Sequence, residues 1–188
     1  MKLAECLTNS LSREGVISEE DKEIVQYGLE SLGGDLLGFV LTFVIGVNFG
    51  NVLVAIFLWI WMYPLRKNAG GFHATTKIRC LLISTGLLVA SFVIFWSSDY
   101  ARVHYILYAL GMGSVIWLMA PVDNNKKKLD SIEHKVYKRR SRKILILEEI
   151  ILFIAVGFEV EVVMKSIVMS IFIVSVSLIG GTIKNICY

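Results

Sequence analysis

The 188-residue sequence predicts an all-α, polytopic membrane helical bundle, and three observations carry that prediction. Hydrophobic residues make up 55% of the chain, above the balance usual for a soluble domain. They are gathered into long blocks: Leu36–Leu65, Leu81–Ser98, Val103–Val122 and Ser166–Ile183 contain no Asp, Glu, Lys or Arg. Within the blocks apolar residues run on without a period of two, which excludes a transmembrane barrel. Helix is then the structure that satisfies the backbone inside hydrocarbon. About 20 apolar residues cross a core roughly 30 Å thick, so about six transmembrane helices fit. The chain is read as one integral-membrane domain, 1–188, with residues 1–34 as an N-terminal amphipathic surface segment.

In that segment Leu3, Leu7 and Leu11 recur at helical spacing. Ser18 with Asp21 is placed to cap a second surface helix through Ile24, Tyr27 and Leu32. No apolar core of a secretory signal is visible in the first thirty residues. The block Leu36–Leu65 exceeds one untilted span, and its middle, GVNFGN, is turn chemistry. A hairpin of two helices, roughly 29–47 and 51–65, is expected. The third span covers Ile78–Trp96 and the fourth His104–Ala120, joined by Ser97–Val103. Asp130 with Glu133 forms a capping box for a helix continuing into the fifth span, about 144–158. Glu148 and Glu149 are expected at the interface, paired with the nearby cations. Ser166–Ile183 is the sixth span.

Cations concentrate in two loops. Arg66–Arg79 holds four Lys or Arg residues and Pro121–Lys143 holds nine, whereas the opposite links offer Arg102 and Lys165. The positive-inside rule places both basic loops, and with six spans both termini, in the cytosol. Cys6, Cys80 and Cys187 are too scattered to suggest a disulfide framework or a CxxC redox pair.

The stretch Arg66–Cys80, RKNAGGFHATTKIRC, carries the chemistry. A thiol is a nucleophile when ionised, and an imidazole or a helix N-terminus favours ionisation. Thr75 or Thr76 is a suitable N-cap for the third span, which puts Cys80 in its first turn or just beyond. Gly70-Gly71 permits positive φ, so His73 can fold back toward the helix end. Seven residues of straight helix rise about 10 Å, so His73 is expected in the turn, acting as base toward Cys80 and then as acid to the leaving group. Taken singly, a cysteine at a span's end is ordinary packing and a histidine in a basic loop is ordinarily solvated; their co-occurrence with Gly-Gly and a threonine cap is what singles them out. Zinc lacks a third ligand here, since His104 and His134 are remote, and neither metal, cofactor nor nucleic acid is expected. A small membrane transporter or peptide exporter with a basic cytosolic face, and a non-catalytic membrane subunit, are the competing readings. The third, fourth and sixth spans, however, offer only scattered Ser, Thr and Gly where transporters carry broken or polar helices.

The pattern Arg66, Gly70-Gly71, His73-Ala74 and Cys80 resembles the accessory gene regulator protein B (AgrB) family, membrane cysteine endopeptidases of Gram-positive quorum sensing. Gln26-Tyr27-Gly28-Leu29-Glu30, Ala120-Pro121-Val122 and Asn124-Asn125-Lys126 are similar to the family too. The resemblance implies His73 and Cys80 as catalytic residues. It implies cleavage of an AgrD-type precursor through a Cys80 thioester, followed by cyclisation to a thiolactone or lactone autoinducing peptide. Arg66 and Gly71 are candidates for substrate or oxyanion binding, although a cation ending a span is the bland reading of Arg66. The Lys126, Lys127 and Lys128 run is first a topology determinant and second a cradle for the precursor's acidic C-terminal tail. Asn68 is the one candidate orienter in the loop. The expected partners are that propeptide, the lipid bilayer and, by resemblance alone, a second copy in a homodimer.

Overall fold

The computed structural model describes residues 2–72, 76–96, 101–123 and 129–187. The described residues form seven helices: α1 (Lys2–Arg13), α2 (Lys22–Asn48), α3 (Val52–Ala69), α4 (Lys77–Trp96), α5 (Arg102–Met119), α6 (Ser131–Gly157) and α7 (Glu161–Cys187). Among the described residues four of them, α2, α4, α5 and α7, are long and apolar enough to cross a membrane. The two other expected spans correspond to α3, which ends in the polar run Arg66–Ala69, and to the apolar half of α6, whose first half is strongly basic. The chain divides into two compact units, Met1–Leu41 and Thr42–Tyr188, with the boundary inside α2.

In the first unit the Ser18 and Asp21 side chains bond at 2.6 Å, and the Asp21 N–H donates to Ser18 Oγ at 3.2 Å, just ahead of α2. That start was expected; the sequel differs. The surface helix and the first span are one continuous helix of 27 residues, about 40 Å long at 1.5 Å per residue, because nothing between Ile24 and Leu36 breaks it. In α1 the buried positions are Ala4 and Thr8, while Leu7 is exposed. An exposed leucine suits a helix lying against lipid.

The second unit is built around α7, which packs against α3, α4, α5 and α6. Of its apolar stretch 72% is buried, against 22% for α4 and for α5, which show most of their surface to the surroundings. Small residues make the central position feasible: Ser166, Ser170, Ser175 and Ser177 are buried along α7, and the backbones of neighbours can approach closely. Ser175 Oγ donates to Met112 O of α5 at 2.8 Å. Phe95 of α4 meets Phe172 of α7 and Tyr108 of α5 edge-on, at 5.6 and 5.8 Å.

The expected hairpin is present. Gly50 adopts φ +69, and Asn51 caps α3 by accepting from Val54 N at 3.2 Å. A Cβ on Gly46 would come within 2.3 Å of Ala55 Cβ, so the end of α2 and the start of α3 touch small against small. Asp130 caps α6 through the expected box: Ser131 N donates to Asp130 Oδ1 at 2.6 Å and Asp130 N to Glu133 Oε2 at 3.2 Å.

The two ends of this unit differ in kind. At one end Arg102, leading α5, pairs with Glu159 between α6 and α7 at 2.7 Å. At the other the two basic loops meet: Val122 N donates to Ala69 O at 3.0 Å, and Gly70 and Val122 form an isolated parallel bridge. The expectation for Glu148 fails. It is buried to 1% exposure on α6, its carboxylate oxygens have no hydrogen-bond partner among the described residues, and Ser170 of α7 faces it. The helix turns Glu148 into the bundle, whereas Glu149, the next residue, is half-buried beside Gly113 of α5.

Candidate active site

The site begins where α3 stops. Gly70 ends that helix with φ +72, its N–H donating to Arg66 O at 3.1 Å, and Gly71 follows at φ +132, a region that side chains avoid. Sterics exclude a side chain at either position as well. A Cβ on Gly70 would lie 2.3 Å from Val122 O; one on Gly71 would lie 2.1 Å from Arg66 Nη1 and 2.8 Å from Ser177 Oγ.

Arg66 holds this turn together. Its Nη1 donates to Gly70 O at 3.1 Å and to the Ser177 hydroxyl, and its Nη2 donates to Phe72 O at 3.0 Å. Phe72 N in turn donates to Ser177 O at 2.8 Å and to Ser177 Oγ at 3.1 Å. The Phe72 ring lies against Gly180, with Lys184 Nζ 5.6 Å from its centre. A half-buried guanidinium needs acceptors, and here they are neutral oxygens: none of the described carboxylates pairs with it. Asn185 on the last turn of α7 donates to Asp123 O at 3.0 Å, so α7 fastens both basic loops.

Beyond Phe72 the chain enters residues 73–75, so His73 and Thr75 lie outside the described residues, as do Lys126, Lys127 and Lys128. It re-emerges at Thr76, whose Oγ1 accepts from Arg79 N at 3.3 Å, the N-cap contact expected there. Cys80 is half-buried and unpaired by disulfide, and its N–H donates to Thr76 O at 3.1 Å, so it stands in the first turn of α4. The Cys80 sulfur is near enough to Arg66 for a negative charge on it to favour the charged guanidinium, against the larger opposing effect of burial. Asn68 turns away: its amide donates to Pro64 O at 2.8 Å within α3. Among the described residues no group of His, Cys, Asp and Glu could hold a metal ion.

The comparisons with known proteins bear on this geometry. A family profile described as accessory gene regulator B matches residues 4–178, a span that includes Arg66, Gly71, Cys80 and Ser177. The chain belongs to the accessory gene regulator B family. It is similar to an AgrB-like protein of Clostridium perfringens, at 26% identity over 90% of this chain and 86% of the relative. It is also similar to an AgrB-like protein of Halalkalibacterium halodurans, at 24% identity over 80% of this chain and 75% of that one. No solved structure matches. As a member of the family, and a multi-pass membrane protein by its apolar helices, the chain has a role in agr quorum-sensing peptide processing.

Sequence reasoning singled out Arg66, Gly71 and Cys80, which the fold brings to one end of the bundle. It passed over Ser177. The signal was there: Ser177, Gly180 and Gly181 stand at i, i+3 and i+4 near the end of an apolar run, the spacing of one small, partly polar helix face.

Proposed function

We propose that the chain is a membrane cysteine endopeptidase that cleaves an AgrD-type precursor and promotes its cyclisation. The observation that carries this reading is the setting of Cys80: a half-buried free thiol in the first turn of α4, its N–H donating to Thr76 O at 3.1 Å. His73 takes the thiol proton, and the sulfur attacks the scissile carbonyl. As the tetrahedral intermediate collapses, the C–N bond breaks and His73 gives its proton to the departing amine, leaving a thioester on Cys80. A nucleophilic side chain inside the precursor, usually cysteine, then attacks that thioester with His73 as base. The ring closes as a thiolactone, or as a lactone where serine attacks, and Cys80 leaves as thiolate and is reprotonated. Exchange of one thioester for another is nearly isoenergetic, so the bond energy is kept for the ring. Exclusion of water favours cyclisation over hydrolysis.

Arg66 and Gly71 serve this chemistry at the turn, Arg66 as the fixed positive charge near the oxyanion. Lys126, Lys127 and Lys128 hold the precursor's acidic tail. The basic end of the bundle faces the cytosol, with both termini there, in agreement with the positive-inside rule.

The test is cleavage of a co-expressed precursor by Cys80→Ala, beside Cys6→Ala and Cys187→Ala. The reading requires that the first abolish cleavage and the other two keep it. Cleavage surviving in Cys80→Ala would show that the assignment of His73 and Cys80 is wrong.

A further inference from the structure

We propose that Ser177 on α7 is a positioning residue for Cys80, acting through Arg66 and through the backbone of Phe72. The inference rests on the peptidase reading for its purpose, though not for its geometry. Among the described residues three oxygens accept from Arg66, and two of them, Gly70 O and Phe72 O, belong to the turn itself. The third, the Ser177 hydroxyl, lies on α7. It is therefore the point at which the guanidinium itself is bonded to the central helix of the bundle. Phe72 N is held by the same residue twice, at 2.8 Å to its carbonyl and 3.1 Å to its hydroxyl. Phe72 is the last described residue before His73.

The face of α7 around Ser177 is shaped for this contact. A Cβ on Gly181, one turn later, would lie 2.8 Å from the Gly71 carbonyl carbon and 3.0 Å from Phe72 N. Gly180 supports the Phe72 ring. The peptide 71–72 lies directly on the helix there, where a larger residue would lift it off. Without the hydroxyl, Arg66 keeps its two acceptors within the turn but loses its direct bond to α7, and the turn is left on that helix by the Phe72 N–H to Ser177 carbonyl bond alone.

The experiment uses the full chain in lipid nanodiscs, carrying Cys6→Ala and Cys187→Ala, and reads alkylation of Cys80 by iodoacetamide. That probe needs no precursor, so it can fail independently of the cleavage test with Cys80→Ala. Ser177→Ala is expected to slow alkylation about tenfold or more. Arg66→Lys, which loses the planar fork, is expected to slow it comparably, and the double variant to be no slower than the slower single one. Gly181→Ala, which leaves Ser177 in place and crowds the Gly71 backbone, is the second variant should Ser177→Ala fail to fold, with the same slowing expected. Wild-type reactivity in a folded Ser177→Ala or Gly181→Ala protein would overturn the proposal. So would losses that multiply in the Arg66→Lys/Ser177→Ala double variant, which would mean that Ser177 acts without Arg66.

Discussion

Arg66, in the last turn of α3, donates to the hydroxyl of Ser177 on α7. That bond, with the two from Phe72 N to Ser177, joins the start of the Cys80 loop to the central helix of the bundle. Proteins commonly place reactive groups on loops positioned by a rigid scaffold, and here the fastening is a charged donor meeting neutral oxygens.

Gly71 tolerates no side chain without a shift of its neighbours. Its φ of +132 disfavours any side chain, and a methyl there would meet both Arg66 Nη1 and Ser177 Oγ. Gly71→Ala is expected to reduce precursor cleavage by about 100-fold while the helical content stays at the wild-type value. Circular dichroism beside a cleavage assay checks this; cleavage within about threefold of wild type would contradict it.

Glu148 is buried without an ion pair among the described residues. Its neutral isostere removes a buried acid without leaving a cation stranded. Glu148→Gln is therefore expected to leave the unfolding midpoint in detergent unchanged or raised. A loss near the 3–5 kcal/mol typical of breaking a buried pair would show that a cation does meet Glu148.

The start of α6 depends on Asp130, which forms the capping box with Glu133. Asp130→Ala is expected to cost about 1 kcal/mol, read as a lower unfolding midpoint, with faster amide exchange confined to the first turns of α6. Unchanged exchange there would contradict the assignment.

The two ends of the bundle should lie on opposite sides of the membrane. In a cysteine-free background, Lys67→Cys near the basic loops is expected to react with an impermeant maleimide only after permeabilisation. Glu159→Cys, beside Arg102, is expected to react in intact cells. Labelling of both from one side would overturn the topology.

Much of the fold was legible in the sequence because charge-free runs and caps are local signals. The turn at Gly50-Asn51, the Asp130 box and the Thr76 cap are all where their residue types require them. What could not be read is which way each apolar helix turns. A span apolar on every side carries no periodic signal of its rotation, so the central place of α7 and the inward turn of Glu148 were hidden. The merging of the surface helix with the first span was hidden for a related reason: the charge-free block begins only at Leu36, yet nothing before it forbids helix. Within the site, Gly70, Gly71 and Cys80 were legible from composition, whereas Ser177 is brought to Arg66 only by tertiary packing across more than a hundred residues.

The most direct test of the account is to trap the covalent intermediate. Full-length protein is mixed with a precursor whose internal nucleophile has been replaced by alanine, then quenched in acid and digested. Mass spectrometry is expected to find a precursor fragment joined through its new C-terminal carbonyl to the peptide containing Cys80, and released by hydroxylamine. Precursor cut at its normal site with no adduct on Cys80, or with the adduct on Cys6 or Cys187, would contradict the account.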